Sequence, residues 1–255
     1  MAAIIPAKVY IVFIGTGKYV DFFRRWIKAV DIHFLNDCKK TILAFSDQHI
    51  PEFDREDVVY TQVPPVVWPE ASLYRFKFIR EALQRLPAAD CLFYLDSDLY
   101  PVEEIYLDDV YSASKPLTGV HHPGNWLKPQ WETFEKRDES TASVREILET
   151  LGDDFIYRQG CFWGGAFQEV QKMCSILDQR ITVDENNGVA AIWIDESHMN
   201  KYFLENADMV QTVPWIYAFP EEGNWSDRLD GETPMMVHAD KSNDEYPRPP
   251  SYKEK

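Results

Sequence analysis

The chain has 255 residues, 45% hydrophobic and 14% aromatic, enough for one large domain or two small ones, and its formal net charge of -16 argues against a nucleic-acid backbone as partner, because phosphate contacts need clustered Lys and Arg. No apolar run approaches the roughly 20 residues of a membrane span, and the segment Met1 to Pro6 lacks the basic and apolar regions of a signal peptide, so the expectation is a soluble, cytoplasmic protein. Cys38, Cys91, Cys161 and Cys174 show neither CxxC nor zinc-finger spacing and are expected to be free thiols.

Lys8 to Ile14 predicts a buried first strand followed by a glycine turn, Gly15-Thr16-Gly17-Lys18, which has neither Walker nor dinucleotide-fingerprint spacing. From Asp21 to Leu35 the residues Phe22, Phe23, Trp26, Ile27, Val30 and Phe34 recur at helical spacing, with Asp21 placed to cap. Thr41 to Phe45 and Val58 to Val63 read as further strands, the second stopped by Pro64-Pro65. Ser72 to Leu86 carries Leu73, Phe76, Ile79, Leu83 and Leu86 on one helical face, with Ser72 as cap and Arg75 able to point at the next strand end. Strand and helix alternate, which predicts a doubly wound α/β sheet.

Cys91 to Leu95 is a buried-strand run that meets Asp96-Ser97-Asp98. In an open α/β sheet, ligands bind at the carboxyl ends of strands, and alternate side chains of an extended segment point the same way. Asp96 and Asp98 can therefore face one spot and form an incomplete oxygen shell suited to Mn²⁺ or Mg²⁺ bridged to a phosphate. An ordinary Asp/Ser turn is the alternative reading.

Beyond Tyr100 the chain looks richer in loops. The glycines of Tyr157 to Gly165 would allow close backbone approach to a ligand, and Gln168 to Asp178 reads as a helix. A second acidic pair, Asp195-Glu196, opens a helix through Met199, Tyr202 and Phe203, where the helix dipole alone would favour acids. From Asp227 the composition turns polar and proline-rich, as in a mobile tail. Its segment Met235 to Lys241 carries His238 and Lys241, which are expected to close over a bound ligand or else to belong to an uninvolved terminus.

These segments, in this order, resemble glycosyltransferase family 6, the retaining α1,3-galactosyl- and N-acetylgalactosaminyltransferases. The resemblance rests on Phe13 with Thr16-Gly17-Lys18-Tyr19, Trp68-Pro69, Arg75, Asp96-Ser97-Asp98, His122-Pro123-Gly124, Thr133-Phe134-Glu135-Lys136-Arg137, Gly160 with Gly164-Gly165, and Trp193 to Tyr202. It implies a GT-A type fold, a Rossmann-like mixed sheet with flanking helices, as a single catalytic domain. Within it, residues 1–100 would form a nucleotide-binding half, 101–226 an acceptor-binding and catalytic half, and 227–255 a tail.

The resemblance further implies a UDP-sugar donor, an oligosaccharide acceptor, fucosylated ones included, and a Mn²⁺ or Mg²⁺ cofactor held by Asp96 and Asp98. Donor contacts would come from Phe13, Thr16, Tyr19, Arg75, Asp96, Asp98, Gln159, Gly160, Cys161, Asp195 and Lys241, and acceptor contacts from His122, Thr133, Trp193 and Glu196. Glu196 would be the catalytic carboxylate.

Two departures stand out. Ile194 occupies the position where the family usually has histidine, and the donor-selecting segment reads Gln159-Gly160-Cys161, where a thiol in place of glycine would narrow the pocket near C2 of the sugar and favour galactose. A glycoside hydrolase would need two carboxylates flanking a bond from opposite sides, which adjacent helical residues do not provide. A non-catalytic carbohydrate-binding protein would account for the eight Trp but not for the strand-end aspartates.

Overall fold

In a computed structural model, the described residues are 6–124, 133–151, 155–221, 223, 225–239 and 241. Strands β1 (Lys8–Ile14), β2 (Lys39–Ser46), β3 (Val58–Gln62), β4 (Cys91–Leu95), β6 (Leu117–His121), β7 (Arg158–Ala166) and β8 (Val210–Val213) form a seven-stranded sheet in the order β3-β2-β1-β4-β7-β6-β8. β1 runs parallel to β2 and β4, whereas β7 is antiparallel to both β4 and β6. A small second sheet joins β5 (Leu99–Pro101), β10 (Met236–His238) and β9 (Phe219–Pro220), in the order β5-β10-β9.

Side chains of β1 alternate between two cores, as a strand covered on both faces requires. Val9, Ile11 and Phe13 pack with Phe23, Trp26 and Val30 of helix α1 (Phe23–His33). Tyr10, Val12 and Ile14 share the other core with Phe76 and Ile79 of α3 (Arg75–Leu83) and with Val170, Met173 and Leu177 of α6 (Phe167–Asn186). The doubly wound, mixed α/β architecture expected from the sequence is therefore present, with α7 (Ile194–Glu205) closing the second face through Met199, Tyr202 and Phe203. Short helices α2 (Glu70–Leu73), α4 (Leu107–Val110) and α5 (Arg145–Leu151) complete the set of named helices. No described helix is long and apolar enough to cross a membrane.

Local readings need correction at three helices. Asp21 does not cap α1: it lies in a 3-10 turn, Gly17–Phe22, and Phe22 stands at the N-cap without a side-chain bond. Ser72 lies inside α2, which begins at Glu70, and Tyr74 separates α2 from α3. Helix α6 runs to Asn186, because its buried stripe continues past Asp178 through Ile181 to Asp184.

The glycine-rich stretch expected to approach a ligand is the strand β7. A side chain at Gly164 would run into the Leu92 carbonyl, and one at Gly165 (φ +131°) into the Pro116 carbonyl, so these glycines serve strand packing. Within the segment read as a polar tail, Met236–His238 forms β10 against β5. All four cysteines are free thiols, as the spacing suggested.

Candidate active site

The carboxyl end of β4 is where the chain turns: Leu99 N–H donates to Asp96 O at 3.0 Å, and β5 leads away. One ligand atom each from Asp96, Asp98 and His238 lie within 4.8 Å of one another. β10 delivers His238 there, because the Ala239 N–H donates to the Asp98 carbonyl at 2.9 Å just after the strand pairs with β5. Lys241 follows, its Nζ 2.5 Å from Asp98 Oδ2 and 5.4 Å from the ring centre of half-buried Tyr19. Burial would raise the Asp98 pKa, but His238 and Lys241 outweigh it, and the carboxyl is held below its ordinary value. Two carboxylates and an imidazole at this spacing are a donor set that fits a divalent cation, and the Lys241 ammonium shows Asp98 already holding a positive charge.

Arg75, buried at the start of α3, joins this turn to the second acidic pair. Its Nη1 donates to Gly160 O at 2.8 Å and lies 3.4 Å from Asp96 Oδ1, while Nη2 lies 3.3 Å from Asp195 Oδ2. The Tyr94 hydroxyl donates to Asp96 Oδ1 at 2.6 Å and so orients that carboxylate. Gly160 N–H in turn donates to Glu196 Oε2 at 2.7 Å. One glycine thus binds the arginine through its carbonyl and the glutamate through its amide.

Burial raises the Asp195 pKa to about 6 even though Arg75 opposes the shift. It raises Glu196 to about 7, against the Gly160 N–H and the nearby Tyr157 hydroxyl. Half-buried Glu196 thus titrates near neutrality, in the range suited to a reacting group.

A cavity of about 260 Å³ adjoins this cluster, lined by His122, Gln159, Glu221, Trp225, His238 and Lys241 among others. Gln159 Oε1 is buried with no hydrogen-bond partner among the described residues. His122 accepts a bond from Gly124 N–H at Nδ1, 2.9 Å, and burial lowers its pKa to about 4, so it presents a neutral ring. Trp193 stands 42% exposed directly before the acidic pair.

Four of the expected contacts sit differently. The Phe13 ring is sealed against Phe23 and Trp26 and offers no face to a base. Strand alternation turns it toward α1, which leaves Tyr19, its ring beside the Lys241 ammonium, as the remaining aromatic group of the expected donor contacts. Thr16 spends its hydroxyl on Val66 O at 2.6 Å. The Cys161 side chain is fully buried in the core, so the thiol does not narrow the cavity; its carbonyl accepts from Asp96 N–H at 2.9 Å. Thr133 is half-buried on the segment that carries Glu135, and it is not among the residues lining the cavity.

Sequence reasoning did not single out Tyr94, Tyr157, Glu221 or Trp225. Tyr94 reaches Asp96 by strand alternation, two residues earlier on β4, whereas Tyr157, Glu221 and Trp225 belong to no recognisable spacing and reach the site through tertiary packing.

A mixed sheet with a carboxylate pair at a central strand end, joined through Arg75 to a second acidic pair, is the arrangement of a GT-A type glycosyltransferase fold. The family model of Glycosyltransferase family 6 matches residues 6–228, and the chain belongs to that family. It is 31% identical over 196 residues to "Histo-blood group ABO system transferase 2" of Rattus norvegicus, a match that covers 73% of this chain and 56% of the relative. It is 27% identical to "Globoside alpha-1,3-N-acetylgalactosaminyltransferase 1" of Gallus gallus, over 74% of this chain and 55% of the relative. Against "O-antigen biosynthesis glycosyltransferase WbnI" of Escherichia coli it is 25% identical, over 83% of this chain and 88% of the relative. The chain thus spans about half the length of the animal relatives it matches and most of the bacterial one.

Proposed function

We propose that this protein is a retaining glycosyltransferase that moves galactose or N-acetylgalactosamine from a UDP-sugar to a 3-hydroxyl of an acceptor glycan, forming an α1,3 linkage. The observation that carries the reading is the division of charge across Gly160. Arg75, which also reaches Asp96 of the Asp96–Asp98–His238–Lys241 cluster, bonds its carbonyl, and the Glu196 carboxylate sits on its amide.

Sugar transfer from a nucleoside diphosphate needs positive charge where the leaving group departs and negative charge where the sugar becomes cationic. Arg75 and Lys241 supply the first. Glu196, ionised, supplies the second, while Asp195 is pinned by Arg75 to bond sugar hydroxyls. Asp96, Asp98 and His238 would hold a divalent cation, which when bound neutralises charge on the diphosphate. The imidazole favours Mn²⁺ over Mg²⁺. His122 and Trp225, which line the cavity, suit an acceptor sugar, since aromatic rings pack on the apolar faces of pyranoses, and exposed Trp193 before the acidic pair would offer a further platform. Gln159 Oε1 can accept from a galactose hydroxyl or from an acetamido N–H, which accommodates either sugar.

Incubation of UDP-galactose and UDP-N-acetylgalactosamine with a panel of acceptor glycans, with NMR of the product linkage, tests the assignment. Transfer should require Mn²⁺ and vanish in EDTA, and Asp96→Asn should weaken donor binding. Full transfer in a chelated sample removes the metal from the reading, and a β-linked product removes retention.

Gly160→Ala offers a steric check. An added Cβ would lie 3.4 Å from Asp195 Oδ2 and 3.6 Å from Glu196 Oε2, ordinary contact, so the chain should fold with near-unchanged Tm. The methyl would nevertheless occupy space against both carboxylates, and the donor KM should rise by about tenfold, the cost of one misplaced methyl in a fitted pocket. An unchanged KM would place the sugar elsewhere.

A further inference from the structure

Glu135 is a buried carboxylate remote in sequence from the acidic pair, yet tied to the chain just before it. Its Oε1 accepts from Arg137 N–H at 2.9 Å and Nε at 3.0 Å, and its Oε2 accepts from Arg137 Nη2 at 2.6 Å and from Ile192 N–H at 2.7 Å. Arg137 Nη2 also donates to Ala190 O at 2.6 Å, so the pair grips both a donor and an acceptor of the 190–192 main chain. Burial would raise the Glu135 pKa, but the bonds from Arg137 and Ile192 outweigh it and keep the group ionised.

The segment that carries Glu135 is itself fixed. Asp184 of α6 accepts from Ser140 Oγ and Thr141 N–H, both at 2.7 Å, and Lys201 of α7 donates to Thr141 O at 2.9 Å. The result is a rigid bracket from α6 and α7 to residues 190–192.

Two residues beyond the grip, Ile194 adopts φ +54°. That left-handed conformation suits glycine, and Asn, Asp or His less readily; for a β-branched side chain it is a strained outlier. Ile194 is buried, its N–H donates to Ala191 O at 3.0 Å, and the next two residues are Asp195 and Glu196. Relaxation of Ile194 to negative φ would redirect the first turn of α7 and withdraw Glu196 from Gly160 N–H.

We propose that Glu135 is a positioning residue for Glu196: its grip on residues 190–192 holds Ile194 in the left-handed conformation that aims the first turn of α7 into the cleft. The proposal rests on the role given to Glu196 above. It explains why a buried charge is spent on a peptide group that a loop could leave to solvent.

The test is a cycle of Glu135→Ala, Ile194→Asn and the double variant, with Glu135→Gln as the conservative arm, each measured for Tm and for transfer kinetics. Asn accepts positive φ, so it removes the need for the grip. Glu135→Ala should lower turnover on the order of 10²-fold, as displacement of a reacting group by about 1 Å does, with little change in donor KM. Glu135→Gln keeps an oxygen for Ile192 N–H and should lose only about tenfold.

Adding Ile194→Asn to Glu135→Ala should recover at least about tenfold of turnover, and the two Tm shifts should be non-additive. Additive Tm shifts without kinetic rescue overturn the proposal. Coupled Tm shifts with full turnover in Glu135→Ala would leave the bracket standing and overturn the role of Glu196 instead. If Glu135→Ala does not fold, the same cycle run with Glu135→Gln decides between these outcomes.

Discussion

Glu196→Gln should lower turnover by about 10²- to 10³-fold while donor affinity stays nearly constant, the loss expected when a single electrostatic contact to the transition state, worth roughly 3 to 4 kcal/mol, is removed. Glutamine keeps the size of the side chain and an oxygen for the Gly160 N–H, so what disappears is charge. The same substitution should raise stability under one condition. Glu196 binds its proton up to about pH 7 in the folded chain against 4.5 ordinarily, mainly because burial disfavours the ion. Its contribution to folding is therefore full below about pH 4.5 and is lost as pH rises through about 7. Glu196→Gln should melt higher than the parent at pH 8, by about 2–4 °C per kcal/mol of relieved burial, and level with it at acid pH. Parent turnover should rise as pH passes upward through about 7. A glutamine variant with near-normal turnover would show that another group stabilises the sugar cation.

Arg75→Met should be the most destabilising single change at the site. The guanidinium is buried among Asp96, Asp195 and Gly160 O, and those carboxylates, reinforced by Tyr94 and Glu196, outweigh the burial that would otherwise lower its pKa. Its removal leaves buried carboxylates without their cation, a loss of about 3–5 kcal/mol. Asp195 and Glu196 already have raised pKa values, about 6 and about 7, and would rise further without Arg75. Groups raised in the folded state cost stability as pH climbs, so the deficit should be full at pH 8 and shrink at pH 5, where both carboxyls are neutral. Guanidinium unfolding at the two pH values reads this directly. An equal deficit at both would mean that Arg75 acts through packing and not through charge.

The parts of the fold legible in the sequence were those with a period. β1 and β4 are apolar runs bounded by turn residues, and α1 carries its stripe from Phe23 to Val30. β7 was not legible, because Gly160, Gly164 and Gly165 within its nine residues read as loop. The demand for glycine at 164 and 165 comes from the Leu92 and Pro116 carbonyls, which are known only once the strands are paired. Strands of two or three residues, such as β9 and β10, have no period to find.

At the site, Asp96 and Asp98 announce themselves by following a buried strand. The place of His238 beside them depends on a pairing across more than a hundred positions. Phe13 was misjudged because an aromatic residue near a strand end can face either way, and only the sheet decides which. Glu135 stands in the Thr133 to Arg137 segment of the resemblance without a role of its own, since a carboxylate that binds main-chain amides leaves no spacing pattern.

The antiparallel β7, inserted between β4 and β6, sets the order in which the chain can mature on the ribosome. β1 to β4 emerge as a four-stranded parallel sheet whose open edge is β4, five buried residues long. That edge stays unpaired until residues 158–166 have been made. For the intervening sixty or so residues, several seconds of synthesis at about 5–20 residues per second, the nascent chain displays an apolar strand edge of the kind that templates aggregation. Chains arrested in that window should be the ones that chaperones hold and that precipitate when released early.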